Sequence, residues 1–197
     1  MARSSACRSR SEQAMKLRLL PIELARRVLH LSQTDETLLK DEADPASMLT
    51  RLTERRLLWE AVRLLSYALP EREAVWWACM CVVHTAPPIM AQIEMAALSA
   101  AKNWVRHPCD ETRRNAALSS AAAGYDSGAA WAARAAFASR HLLPLHWRGG
   151  KRVVTAVLRA GLWDDGGDAA ARAARFIKSG RDIAQGGSGW LPPEREP

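Results

Sequence analysis

Phenylalanine and tyrosine are scarce in this 197-residue chain, two of each against eight tryptophans. Runs of β-branched residues alternating with polar ones are missing, which argues against a β-sandwich or barrel. There is no Gly-rich phosphate loop after a strand, no nucleophile elbow around a serine and no His-Glu-x-x-His helix. Gly149-Gly150-Lys151 and Gly186-Gly187-Ser188-Gly189 lack the preceding strand that would make them phosphate loops. His84, His107, His141 and His146 have no adjacent acidic residue to mark a general base. The four cysteines, at positions 7, 79, 81 and 109, make no disulfide framework for a domain of this size. Reduced thiols in a cytoplasmic protein are therefore expected. No apolar run approaches the roughly 20 residues of a membrane span. Leu17 to Ile22 is too short and too charged for a secretory signal core, and Arg26-Arg27 precedes no apolar stretch of the kind a twin-arginine signal needs.

What is present is ordinary for a globule: 48% hydrophobic and 25% charged residues, with a formal net charge of +7. Small residues dominate between Ala96 and Ala138, which favours close packing of helices. The basic excess lies in two places. Arg3, Arg8, Arg10, Lys16, Arg18, Arg26 and Arg27 face only Glu12 and Glu23 near the N-terminus. Nine Arg or Lys from Arg140 to Arg181 face Asp164, Asp165 and Asp168. An acidic patch, Asp35 to Asp44, follows the first excess. Such a chain attracts nucleic acid, acidic proteins or anionic lipid, or else has solvated helix faces rich in arginine.

Residues 1–14 are polar and unpatterned, and are expected to be a disordered basic extension. Pro21 opens a helix with the stripe Leu24, Val28 and Leu31. Asp44-Pro45 caps and starts a longer one that carries Met48, Leu52, Leu58, Trp59, Val62, Leu65 and Tyr67. Pro70 starts the chain's signature, in which Ala74 to Val83 is apolar on every side and so must be surrounded by protein. After Pro87-Pro88 the stripe Ile89, Ile93, Ala96, Ala97, Ala100 and Trp104 keeps helical spacing. Asp110, then Asp126 or Ser127, cap two further helices, the second carrying Trp131, Ala133 and Phe137. Val153, Val157 and Ala160 mark a short helix ending at Gly161. Asp168 caps the last, with Ala173, Phe176, Ile177, Gly180 and Ile183 inward and Arg172, Arg175, Lys178 and Arg181 toward water.

The pattern predicts an all-α protein, a compact bundle or irregular array of about seven helices. The helical domain spans residues 15–185, and the Gly/Ser/Pro-rich residues 186–197 form a flexible tail. No residue signature recurs at the period a helical solenoid needs.

Cys79, Cys81, His84, His107 and Cys109 invite a zinc reading, but zinc needs four ligands at tetrahedral geometry. Cys79 and Cys81 stand about 200° apart around a helix and point in nearly opposite directions. Trp76 and Trp77 diverge by about 100° and serve two packing surfaces rather than one stacking platform. No catalytic, cofactor or metal residue is assigned. Arg172, Arg175, Lys178 and Arg181 form a basic face that would suit phosphates. Trp147 and Trp163, with those four cations, are the candidates for contact with a partner.

Leu69-Pro70-x-Arg72-Glu73-Ala74-Val75-Trp76-Trp77-Ala78-Cys79, then Ala101-x-x-Trp104-Val105-x-x-Pro108 and the small-residue run ending near Phe137-Ala138-Ser139, resembles an uncharacterised bacterial all-helical family of unknown function. The resemblance covers roughly residues 20 to 185. It implies a setting among type VI secretion genes, beside the spike and adaptor proteins that load effectors. It carries no catalytic residues over, and Cys81 and the basic N-terminal extension fall outside the pattern. The leading expectation is a non-enzymatic accessory protein that binds another protein, such as a secretion effector or spike component, as an adaptor or effector chaperone. A nucleic-acid-binding module using the basic last helix is the second, and a small metal-binding or enzymatic helical protein the third.

Overall fold

Asp44 starts its helix as its sequence dictates: the carboxylate accepts the Ser47 backbone N–H at 3.0 Å, directly before Pro45. In this computed structural model the described residues are 15–32, 35, 44–139, 147–162 and 168–194, excluding the side chains of residues 147 and 148. Among them are nine helices and no strand: α1 (Ile22–Leu29), α2 (Pro45–Glu54), α3 (Leu58–Ala68), α4 (Glu71–Thr85), α5 (Gln92–Arg106), α6 (Asp110–Ala123), α7 (Gly128–Ala138), α8 (Trp147–Gly161) and α9 (Ala169–Ala184). The all-α class holds, with more helices than the seven expected. The N-terminal extension, residues 1–14, lies outside the described residues.

One extra helix comes from a break that the apolar stripe hides. The helix expected to run on from Pro45 to Tyr67 ends at Glu54, because Arg56 turns into the left-handed region at φ 59°. Leu57 N–H then bonds Leu52 O at 2.9 Å and Arg56 N–H bonds Thr53 O at 3.1 Å. Those two bonds make a Schellman stop, with arginine where glycine is usual. No local residue signals it.

Helix α4 is the centre of the molecule. It packs against α3, α5, α7, α8 and α9, which is the neighbourhood its all-round apolarity demands. Contacts so far apart in sequence are those of a bundle, since a solenoid joins only neighbouring repeats. Around α4 the close approaches are made by small residues. Six alanines of α7, among them Ala129, Ala132 and Ala136, are buried, and α7 contacts α4, α5, α6 and α8. Of the residues the expected helix carries, Ala133 is buried, whereas Trp131 is half-buried and Phe137 exposed. A helix with neighbours on several sides has no room for large rings between the backbones, so alanine does the packing.

The stripe expected on α5 is likewise shifted. Ala97, Leu98, Ala101, Trp104 and Val105 are buried, whereas Ile89 and Ile93 are 90% and 53% exposed. Ile89 precedes the helix, and among the described residues no helix covers the face at its first turn.

The segment after α9, composed as a free tail, is docked on α4 and α9 through residue 194. Trp76 Nε1–H donates to Ser188 O at 2.8 Å, Ser179 Oγ–H donates to Gly189 O at 2.5 Å, and Leu191 is buried. Gly186 and Gly189, at φ 86° and 64°, supply the turns that fold it back.

Candidate functional site

The signature helix yields a core rather than a reaction centre. Trp77 is fully buried and its indole N–H bonds Phe176 O at 2.9 Å, while Trp76 turns outward to Ser188. The neighbouring rings thus serve α9 and the C-terminal segment separately. Cys79 and Cys81 are fully buried. Desolvation pushes the Cys79 thiol up to about 12, weakly opposed by the Lys102 charge, and raises Cys81 well above the usual thiol range. Neither forms thiolate near neutrality. Cys109 is exposed, and hydrogen bonding by Thr112 lowers its pKa. His84 is buried edge-on to Phe176, with ring centroids 6.0 Å apart. Among the described residues, no three His, Cys, Asp or Glu side chains gather as a metal site.

Half of the basic face expected on α9 is drawn inward. Arg172 is only 3% exposed and its Nε–H donates to Glu194 at 2.6 Å. Arg175 reaches the other oxygen of the same carboxylate at 3.0 Å. Arg181 crosses to α2, where it donates to Thr53 Oγ1 at 3.3 Å. Arg175 and Lys178 keep the expected exposure, and Lys178 has no ion-pair partner among the described residues. Helical spacing put Arg172, Arg175, Lys178 and Arg181 together toward water, and Arg172 is buried instead. It could not show that an acidic residue 22 positions later folds back over Arg172. Trp163 lies outside the described residues, as does the Trp147 side chain at the first position of α8.

An opening missed by the sequence reading lies where the end of α4 meets the loop before α5, the start of α7 and the end of α8. Val82, Ala86, Met90, Gly128, Ala129 and Ala160 line a groove of about 320 Å³, with Glu94 and Arg159 also in its lining. The Arg159 guanidinium is held by Asp126 O at 2.8 Å. Gly128 is required by this approach: a Cβ there would lie 3.0 Å from both Ala156 O and Val82 Cγ2. A shallower depression shares Arg159 and includes the exposed Leu162. Next to Met90 and Glu94 stand Ile89 and Ile93, the two isoleucines that the α5 stripe failed to bury. The available signal was Pro87-Pro88-Ile89-Met90, an apolar connection where polar turn residues are usual.

These features define an all-helical protein wrapped around one central helix, with an apolar groove that none of the described residues covers. No helix among the described residues is long and apolar enough to cross a membrane. The chain belongs to a family of unknown function (DUF6931), whose model matches residues 48–184. No curated protein and no solved structure matches it.

Proposed function

We propose that this is a non-enzymatic bacterial accessory protein that binds another protein through the groove around Met90. The observation that carries the reading is the groove itself: mostly apolar walls with one charge of each sign among them, and exposed Ile89 and Ile93 next in sequence to its lining residues Met90 and Glu94. Large exposed apolar side chains beside a concavity mark interaction sites, and a methionine in the wall adapts to varied apolar surfaces. The partner supplies an apolar segment, such as one face of an amphipathic helix laid into the groove. The finer setting, an adaptor or effector chaperone of type VI secretion, rests on the sequence resemblance. Nucleic-acid binding stands second, because Arg172 and Arg181 are engaged within the protein and Arg175 is paired with Glu194.

The test is titration calorimetry of the purified protein against secretion effectors and spike proteins encoded beside it. One of them is expected to bind, with little dependence on salt. Met90→Asp should weaken that binding at least tenfold, about 1.4 kcal/mol. Binding by none of them, or binding that Met90→Asp leaves unchanged, would sink the reading. A steep loss of nucleic-acid binding with salt would favour the second instead.

A further inference from the structure

The C-terminal segment is held as a recognised peptide is held. Most of its bonds use its main chain: Ser188 O accepts from Trp76, Gly189 O accepts from Ser179, and Gly189 N–H donates to Asp182 Oδ2 at 2.8 Å. Further along, Pro192 O meets His84 Nδ1, and Glu194 N–H donates to His84 O at 2.7 Å. Because a carbonyl only accepts, Nδ1 carries the proton in that contact. Main-chain bonds of this kind give affinity for any extended strand, and side-chain pockets then add selection.

Two side chains of the segment supply the selection. Leu191 is buried, and Glu194 receives Arg172 and Arg175 on its two carboxylate oxygens. Arg172 is itself almost wholly buried, so this is a charge-assisted pair with most of its water removed. The side chains between the anchors, Pro192 and Pro193, are exposed, and Trp190 before them is 68% exposed.

The attachment suits an exchangeable occupant. Gly186 and Gly189, both at positive φ, connect the segment to α9 through a stretch of small residues. The receiving residues Trp76, His84, Arg172, Ser179 and Asp182 all lie inside the family match, while residues 186–194 lie beyond its end at 184. The fit also leaves His84 Nε2 buried with no hydrogen-bond partner among the described residues.

We infer that the channel between α4 and α9 is a peptide-recognition groove, and that residues 186–194 occupy it in cis. Its ligand in trans is an extended segment of another protein with an apolar side chain three residues before an acidic one. The inference concerns other residues than the Met90 groove and stands without that reading. Occupancy in cis lowers the apparent affinity for such a segment by the fraction of molecules in which the channel is empty.

The probe is a fluorescein-labelled peptide of residues 186–194, titrated into the full chain and followed by fluorescence polarisation. The wild-type chain should bind it weakly. Leu191→Asp with Glu194→Lys removes both anchors from the strap and leaves the groove untouched, so affinity should rise at least tenfold. A peptide carrying the same two changes should not bind. Equal affinity of the wild-type and double-variant chains, or equal binding of both peptides, would overturn the inference. Should the double variant fail to fold by circular dichroism, the wild-type chain serves through hydrogen exchange at the Gly189 and Glu194 amides. Excess unlabelled peptide should speed their exchange, and unchanged protection at saturating peptide would overturn the inference equally.

Discussion

Three cysteines among the described residues show how far an environment separates identical side chains. Cys79 and Cys81 sit inside a helix with protein on every side, so each thiol is stripped of water and disfavours its charge. Cys109 begins α6, where Thr112 Oγ1 bonds the Cys109 backbone N–H at 3.3 Å and approaches its sulfur at 3.5 Å. Because the thiolate is the reacting form, a lowered pKa moves the alkylation profile toward lower pH. Iodoacetamide followed by peptide mass mapping should therefore label Cys109 first. Its rate should be half-maximal below the ordinary thiol value of 9.0, whereas Cys79 and Cys81 should resist until denaturant is added. Labelling of Cys79 or Cys81 at the rate of Cys109 in native buffer would contradict the burial of α4. The sequence showed that Cys79 and Cys81 diverge around one helix, because that follows from a two-residue step. It left open how deep each lies, which depends on the helices brought over them.

At the scale of elements, starts were easier to read than stops. Asp44, Ser127 and Asp168 each cap a helix by accepting backbone N–H bonds within the next three residues, a relation contained in the local sequence. The cap expected at Asp110 moved one residue, because Cys109 and Thr112 make the box instead. The stop between α2 and α3 is of another kind. Arg56 takes a left-handed conformation that costs a side-chain-bearing residue roughly 1–2 kcal/mol, and it is held there by the packing of two helices on either side. Glycine has no such penalty, although it adds freedom to the unfolded chain. Arg56→Gly should therefore stabilise the protein by up to about 1 kcal/mol, read as a higher urea midpoint at unchanged slope. Arg56→Val should move the midpoint the other way, because a β-branched residue resists positive φ most. A midpoint lowered by Arg56→Gly would mean that the arginine side chain contributes more than its backbone strain costs.

Across the whole molecule, the long-range partners decided what local pattern could not. The all-α class and the central place of the Trp-Trp helix follow from periodicity and all-round apolarity, which need no knowledge of topology. The buried Arg172 does not: its position on α9 is that of a solvent-facing residue until Glu194 returns to cover it. The Met90 groove was equally hidden, since it is assembled from α4, α7, α8 and the loop before α5. The same topology sets a gradient of stability. Helix α4 touches five other helices, whereas α1 touches α3 alone among the described residues. Opening α4 must disrupt most of the core, while lifting α1 away exposes mainly Ala25, Leu29 and their contacts with α3, so their amides should exchange by different routes. Native-state hydrogen exchange should find the α4 amides from Trp77 to Val82 exchanging only with global unfolding, and their exchange free energy should fall with urea at the full unfolding slope. Those of α1 should exchange through local opening that urea scarcely affects. If the α4 amides exchanged as readily as those of α1, the wrapped central helix would be wrong, and with it the geometry that sets both grooves against its flanks.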